Sequence, residues 1–199
     1  RDFGAIHASH QPSLTNTPRR ILLFNLPVEE LSLRAVDQSG GMNLYFVRHG
    51  TALDHHNDEK RELSATGKRQ ARKLARFLRR AETRFTAAYT SPLIRARQTA
   101  EILLEITNEG KQIDLNFAGA MLNATSVEDF RDWLTQLGRG GDVLLVGHEP
   151  SLSDRIRALL RISGAATFEM KKGACTCVRT TNCQTGVLKF HITPKSLGI

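Results

Sequence analysis

Two histidines and two arginines carry the most distinctive chemistry in the sequence. Arg48 and His49 stand together before a glycine, Arg95 follows in a second polar stretch, and His148 is preceded by another glycine. A guanidinium group holds a phosphate at two points with fixed geometry. A neutral imidazole is a nucleophile near neutral pH. These residue types favour the binding and transfer of an anionic group such as phosphate.

All four side chains follow short apolar runs that are typical of strands. These strands are predicted at residues 44–47, 87–90 and 143–146. Ligands of open α/β sheets lie at the carboxyl ends of strands. Arg95 is also expected in the first turn of a helix, where a cation is unfavourable for the helix dipole unless an anion lies nearby. The pattern predicts that the four side chains meet at one edge of a sheet.

Helices alternate with these strands. In residues 66–80, apolar residues recur at the i, i+3, i+4, i+7 spacing of a buried stripe. Further helices are predicted at residues 93–106, from residue 126 onward, and at residues 150–162. Residues 174–180 and 186–192 alternate in polarity and predict a closing hairpin. The expected fold is α/β, a three-layer α/β/α sandwich with a mostly parallel central sheet and a C-terminal β-hairpin.

Composition limits the class of protein. The chain has 199 residues, 40% hydrophobic and 24% charged, which is typical of one globular domain with a full core. No apolar run reaches the roughly 18 to 20 residues of a membrane span. Three cysteines in the last 25 residues form no disulfide pattern, which favours a reducing compartment and a cytoplasmic location.

The chain divides at the Gly40-Gly41 pair. Residues 1–41 are predicted to be a flexible N-terminal extension: a cloning remnant, an upstream leader or part of a transit peptide, the last disfavoured by three acidic residues. This segment has four arginines and four acids, so the net charge of +8 lies entirely in the domain at residues 42–199. Such a charge favours anionic partners.

Four stretches of the domain resemble, in order, the motifs of the histidine phosphatase (phosphoglycerate mutase-like) superfamily, and within it the small SixA-type phosphohistidine phosphatases. They are Phe46-Val47-Arg48-His49-Gly50, the RELSATG sequence at residues 61–67, the SPLIRARQTA sequence at residues 91–100, and Val146-Gly147-His148-Glu149-Pro150. The ending at residues 191–195 is also similar to that of SixA sequences. The resemblance covers about residues 42–196 and predicts a histidine phosphatase domain there.

The resemblance implies a role for each matching side chain. His49 would attack phosphorus to give a phosphohistidine intermediate, while Arg48, Arg95 and His148 hold the three equatorial oxygens. A charged His148 and the arginines would neutralise the phosphoryl group, so no metal or other cofactor is expected. The substrate-binding residues are predicted to be Arg61, Gly50, where backbone would approach a ligand closely, and Glu149.

One departure from the larger family members concerns the proton donor. Those members carry an acidic residue after the second helix that protonates the leaving oxygen, whereas residues 115–123 contain no Asp or Glu. General acid catalysis is worth about 10²–10⁴-fold for such a leaving group. The imidazole of phosphohistidine leaves more readily, so the missing acid favours an N–P bond. Alternatively, Glu149, Asp54 or Asp58 supplies the proton.

Three functions therefore compete. The leading one is a phosphatase for phosphohistidine in a protein such as a histidine phosphotransfer domain. The alternatives are a phosphomonoesterase for a small ester and a domain that binds phosphorylated ligands without turnover. We expect a monomer with no nucleic-acid or membrane partner.

Two further features have ordinary interpretations. The helix at residues 66–80 has seven basic residues and no acid, which favours a solvated face over docking of an acidic phosphoprotein or of nucleic acid. A metal site at Asp54-His55-His56 or at Cys175 and Cys177 is disfavoured, because no further ligands accompany them.

Overall fold

The computed structural model describes residues 40–138, 140–163 and 168–199. The strands are β1 (Met42–Arg48), β2 (Phe85–Thr90), β3 (Leu115–Phe117), β4 (Gly141–Gly147), β5 (Cys175–Thr180) and β6 (Gly186–Ile192). The helices are α1 (Ala65–Arg80), α2 (Ile94–Thr107), α3 (Val127–Thr135) and α4 (Ser151–Leu160). Single 3₁₀ turns lie at Asp58–Lys60, Gly119–Met121 and Lys195–Leu197.

The six strands form one mixed sheet in the order β3-β2-β4-β1-β5-β6. The first four strands of this order are parallel, while β5 runs antiparallel to β1, and β6 to β5. The arrangement confirms the predicted sandwich with its parallel centre and C-terminal hairpin. The sequence prediction missed β3, because three residues at an edge are too few to show an alternating pattern.

Helices cover both faces of the sheet. Alternation along β1 sends Leu44 and Phe46 to one face, with α3 and α4, and Tyr45 and Val47 to the other, with α1 and α2. The predicted stripe of α1 is buried as expected. Both faces are therefore apolar, which explains why the central strands show continuous apolar runs.

No helix among the described residues is both long and apolar enough to cross a membrane. The predicted N-terminal extension, residues 1–41, lies almost wholly outside the described residues, so its flexibility stays a prediction.

A close approach of two glycines fixes the start of α1 against the loop after β1. Ser64 caps the helix by accepting from the amide of Gly67 at 3.1 Å. A Cβ on Gly50 would lie 2.7 Å from the carbonyl oxygen of Gly67, and one on Gly67 would overlap the carbonyl oxygen of Thr51. The two backbones can approach this closely only because neither residue has a side chain.

We predict that Gly67→Ala destabilises the protein by about 1–3 kcal/mol through overpacking. In an ordinary helix the same change stabilises by about 1 kcal/mol. Chemical denaturation measures the free energy of unfolding. Gly119→Ala is the matched control, since open space surrounds Gly119. A gain in stability from Gly67→Ala would contradict the close approach.

Candidate active site

The strand order brings the predicted side chains together. In the parallel ladders, Arg48 of β1 pairs with Gly147 of β4, and Val146 of β4 pairs with Thr90 of β2. The residues that follow these positions therefore emerge side by side at one edge of the sheet. A cleft of about 560 Å³ lies at this edge. Its lining residues are Arg48, His49, Asp58, Arg61, Leu93, Arg95, Leu122, Asn123, Ala124, His148, Glu149 and Lys172.

The ring of His49 is held by both nitrogens. Its Nδ1 lies 2.7 Å from the carbonyl oxygen of Gly50, which only accepts hydrogen bonds, so Nδ1 carries the proton. The Nε of Arg95 donates to Nε2 of His49 at 3.3 Å, so Nε2 carries the lone pair. This tautomer leaves Nε2 as the nucleophilic nitrogen of the ring.

Burial keeps His49 neutral. The residue is 7% exposed, and desolvation lowers its pKa from 6.5 to about 4, with the charges of Arg95 and Arg48 acting in the same direction. The hydrogen bond to the Gly50 carbonyl opposes this shift. At neutral pH the imidazole therefore keeps its lone pair despite the hydrogen bond that favours protonation.

His148 lies opposite, with its ring centroid 5.0 Å from that of His49. Its Nε2 is 2.8 Å from Oγ of Ser91, whereas its buried Nδ1 has no hydrogen-bond partner in the described part of the chain. Burial, then the neighbouring His49 and Arg95, lower its pKa to about 3. The ring is thus neutral in this structure, because desolvation outweighs the attraction of Asp58, and the charge expected on His148 beside a phosphoryl group stays a prediction. A dianionic phosphoryl group beside it would raise this pKa.

Asp58 occupies the outer edge of Arg95. Arg95 donates from Nη1 to the Asp58 carbonyl at 2.7 Å and from Nη2 to its carboxylate at 2.9 Å. These bonds, and a further pair with Arg61, hold the pKa of Asp58 below its ordinary value. Asp58 therefore orients both arginines as an ionised carboxylate.

Arg48 is half-buried in the cleft wall. It donates from Nη1 to the carbonyl of Met170 at 2.7 Å, and its buried Nε has no partner among the described residues. One edge of the guanidinium is thus fixed by the protein.

The three predicted substrate-binding residues have different environments. Arg61 lines the cleft and is bound to Asp58, Asp54 and the carbonyl of Leu53. Gly50 is buried outside the lining of the cleft, Gly67 lies where its Cβ would be, and its carbonyl orients His49. Glu149 lines the cleft, and its Oε1 accepts hydrogen bonds from Ser153 Oγ at 2.7 Å and from the Met170 amide at 2.8 Å.

The wall formed by residues 122–124 has no carboxyl group. Asn123 donates to the carbonyl of Glu149 and accepts from Ser151, both at 2.8 Å. Arg155, 1% exposed, donates to the carbonyl of Leu122 at 2.9 Å and fixes the same wall from behind. An amide and two apolar side chains therefore line the cleft here.

Sequence reasoning missed Lys172, Ser91 and Asn123. Lys172 lies in the loop before β5, far along the chain from every motif, and no local pattern marks it. Ser91 lies in the motif at residues 91–100, but its contact with His148 depends on the β2–β4 register. Asn123 lies in residues 115–123, where only the lack of acidic residues drew attention.

Other candidate sites stay apart from the cleft. The rings of His55 and His56 are exposed and stacked at 4.2 Å, while Cys175 and Cys177 are buried in the core. Within residues 40–138, 140–163 and 168–199, no cluster of three or more His, Cys, Asp or Glu has a geometry for metal binding.

The two buried histidines predict an acid-sensitive fold. Their folded-state pKa values, about 4 and about 3, lie below the ordinary 6.5, so the unfolded chain binds more protons between these pH values. The free energy of unfolding therefore falls with decreasing pH from about 6.5 to 4, by up to about 1.4 kcal/mol per pH unit for each ring. Denaturant titrations at pH 7, 5.5 and 4.5 measure this slope. His148→Gln should flatten it, and an unchanged slope in that variant would contradict the assigned environment.

Comparison with known proteins places this chain in a family. The sequence pattern of the histidine phosphatase superfamily (branch 1) matches residues 44–118. An uncharacterized protein of Picosynechococcus sp. (strain PCC 7002) is 36% identical over 144 residues, covering 70% of this chain and 86% of that protein.

Two solved structures share the fold. The protein histidine phosphatase SixA complexed with tungstate superposes with a TM-score of 0.69 at 21% identity, covering 78% of this chain and 99% of that chain. A phosphoglycerate mutase from Bacillus anthracis str. Sterne gives a TM-score of 0.62 at 15% identity, covering 79% and 96%. The chain belongs to the histidine phosphatase superfamily, as its four motifs predicted.

Proposed function

We propose that the protein is a metal-independent phosphatase that cleaves the N–P bond of phosphohistidine in a phosphoprotein, with His49 as nucleophile. The observation that carries the proposal is the state of the two carboxyl groups lining the cleft within the described residues. Asp58 is ionised and held by Arg95 and Arg61, and Glu149 accepts two hydrogen bonds that fix a loop. Asp58 is thus engaged by two arginines, and one carboxyl oxygen of Glu149 is engaged by the protein.

The first step transfers the phosphoryl group to the protein. Nε2 of His49 attacks phosphorus in line, the bond to phosphorus forms there, and the bond to the substrate imidazole breaks. When the other nitrogen of that imidazole is already protonated, the ring departs neutral and needs no donor from the protein. An alkyl phosphate instead releases an alkoxide, which does need one.

The arginines and His148 stabilise the charge that spreads over the phosphoryl oxygens. Among the described residues, Nε of Arg48 and Nδ1 of His148 have no hydrogen-bond partner. The Nε of Arg95 lies beside the attacking nitrogen, so it also reaches an oxygen on the phosphorus. Donors placed in advance in a buried site cost little reorganisation during the reaction.

The second step returns the site to its starting state. Water attacks phosphorus, the bond to Nε2 of His49 breaks, and inorganic phosphate leaves. The Gly50 carbonyl keeps the Nδ1 proton in place throughout, so His49 regains the same tautomer. No metal ion is needed for either step, since cationic side chains surround the cleft.

A leaving-group comparison tests the proposal. Phosphate release is measured from phosphohistidine, from p-nitrophenyl phosphate, whose nitrophenolate leaves unprotonated, and from alkyl esters such as phosphoserine. We expect kcat/KM for the N–P substrate to exceed that for alkyl esters by about 10²–10⁴, the usual worth of a general acid, with p-nitrophenyl phosphate between them.

The control variants separate the nucleophile from the surrounding loop. His49→Ala should abolish all turnover and any acid-labile phosphoprotein trapped by quenching, while His56→Ala, an exposed neighbour, should retain both. Preference for an alkyl ester would overturn the N–P assignment in favour of a phosphomonoesterase. Binding without turnover of any substrate would indicate a phospho-ligand-binding domain.

A carboxyl group introduced on the cleft wall gives a second test. Ala124 is exposed and lines the cleft beside Asn123, so Ala124→Glu adds a proton donor without disturbing the core. We expect turnover of alkyl phosphates to rise about tenfold or more, part of the range available to a general acid, with N–P turnover little changed. Ala124→Gln is the matched control. An equal effect of Glu and Gln would show that protonation does not limit the reaction.

A further inference from the structure

The outward face of α1 is uniformly basic. Its exposed cations recur at helical spacing on one side of the helix: Arg69, Arg72, Lys73, Arg76 and Arg80. None of the five forms an ion pair with a carboxylate of the described residues. Arg79, at the flank, does pair, with Glu109 at 2.7 Å.

The like charges of this face lower the intrinsic stability of α1. Like charges four residues apart, such as Arg72 and Arg76, destabilise a helix, and α1 has no acidic residue anywhere along its length. The first turn also lacks the acid that would favour the helix dipole. A helix that is merely solvated commonly mixes the two signs, so the arrangement points to an anionic partner outside the chain.

A groove lies between α1 and the active-site cleft. The groove, about 720 Å³, is lined by Gln70 of α1, by Lys195, and by Arg48 and Lys172, which also line the cleft. Nζ of Lys73, on the α1 face, donates to the carbonyl of Leu197 at 3.5 Å. We define the basic tract as the five cations of the α1 face together with Lys172 and Lys195. Glu169 also lines the groove and pairs with Lys171 at 2.6 Å, and the remaining charged residues of the groove, Arg48, Lys172 and Lys195, are all basic.

We propose that the basic tract docks the acidic surface that surrounds the phosphorylated histidine of a substrate protein. The inference rests on the proposed function and adds a partner of defined chemistry to it. A phosphate held at Arg48 places the neighbouring surface of its protein over Lys172 and the groove, which meets α1 at Gln70, next to Arg69 in the sequence. Complementary charge over this distance raises the association rate and selects acidic phosphoproteins.

A protein partner fits the tract better than a nucleic acid. The single aromatic residue of α1 is Phe77, which is half-buried and packs edge-on against Phe190 with ring centroids 6.5 Å apart. No ring of this helix is thus available for stacking on bases, the usual second element of single-strand recognition.

The experiment compares two N–P substrates that differ only in their surroundings. One is a histidine phosphotransfer domain of net negative charge, phosphorylated with phosphoramidate, and the other is free phosphohistidine. We expect Arg72→Glu with Arg76→Glu to lower kcat/KM for the protein about tenfold or more and to leave kcat/KM for free phosphohistidine unchanged. The salt dependence of protein turnover should flatten in the same variant.

The matched control reverses the same number of positive charges at the amino ends of the strands, opposite the cleft. Arg84 and Lys111 are exposed and lie near the amino ends of β2 and β3, so Arg84→Glu with Lys111→Glu has the same net charge as the test variant. Unchanged turnover of free phosphohistidine in both variants verifies that each is folded.

The outcomes separate the two proposals. Turnover of neither substrate by the unaltered protein refutes the proposed function. Turnover of both, with equal loss in the test and control variants, refutes docking on the basic tract and leaves the function standing. A mixed-sequence RNA oligonucleotide is titrated in parallel by fluorescence anisotropy. RNA binding that is lost in the test variant, with protein turnover unchanged, would assign the tract to nucleic acid and overturn the inference.

Discussion

Burial of two imidazoles among arginine side chains is the constraint on which the rest of this site depends. Desolvation and nearby cations hold His49 and His148 neutral, so a lone pair remains on Nε2 of His49. In the proposed mechanism the same cations are the donors to the phosphoryl group. A single arrangement would therefore prepare the proposed nucleophile and the oxygen-binding groups together, and it lowers the stability of the fold as the pH falls.

The backbone supplies what the side chains cannot. The Gly50 carbonyl selects the tautomer of His49, and the contact between Gly50 and Gly67 locks this loop to the start of α1. α1 begins beside the loop of His49, and its basic residues lie on its outer side. Gly50 and Gly67 therefore fix the position of α1 relative to the ring of His49, because neither position has room for a side chain.

Charge is distributed unevenly between the cleft and its surroundings. Inside the cleft, Asp58 pairs with both Arg95 and Arg61, and Oε1 of Glu149 accepts hydrogen bonds from Ser153 and the Met170 amide. Outside, the α1 face is unbalanced. A cleft whose carboxyl groups bind arginines and loop residues suits a leaving group that carries its own proton, and a basic outer surface suits a large acidic partner. Both properties agree with an N–P bond in a protein.

The sequence by itself determined the fold class and the meeting of Arg48, His49, Arg95 and His148 in one cleft. Strands of a parallel sheet that is covered on both faces are apolar along their whole length, so the apolar runs before Arg48 and His148 predict such strands. Ligands bind at the carboxyl ends of these strands, where both residues lie. The tertiary structure alone decided the rest. Lys172 enters the cleft through strand pairing across the chain, and Asp58 proves to be an ionised bridge. The space at Gly50 is filled by Gly67. These three features depend on desolvation and steric contact between segments that are distant in the chain. No local pattern of residues encodes such contacts.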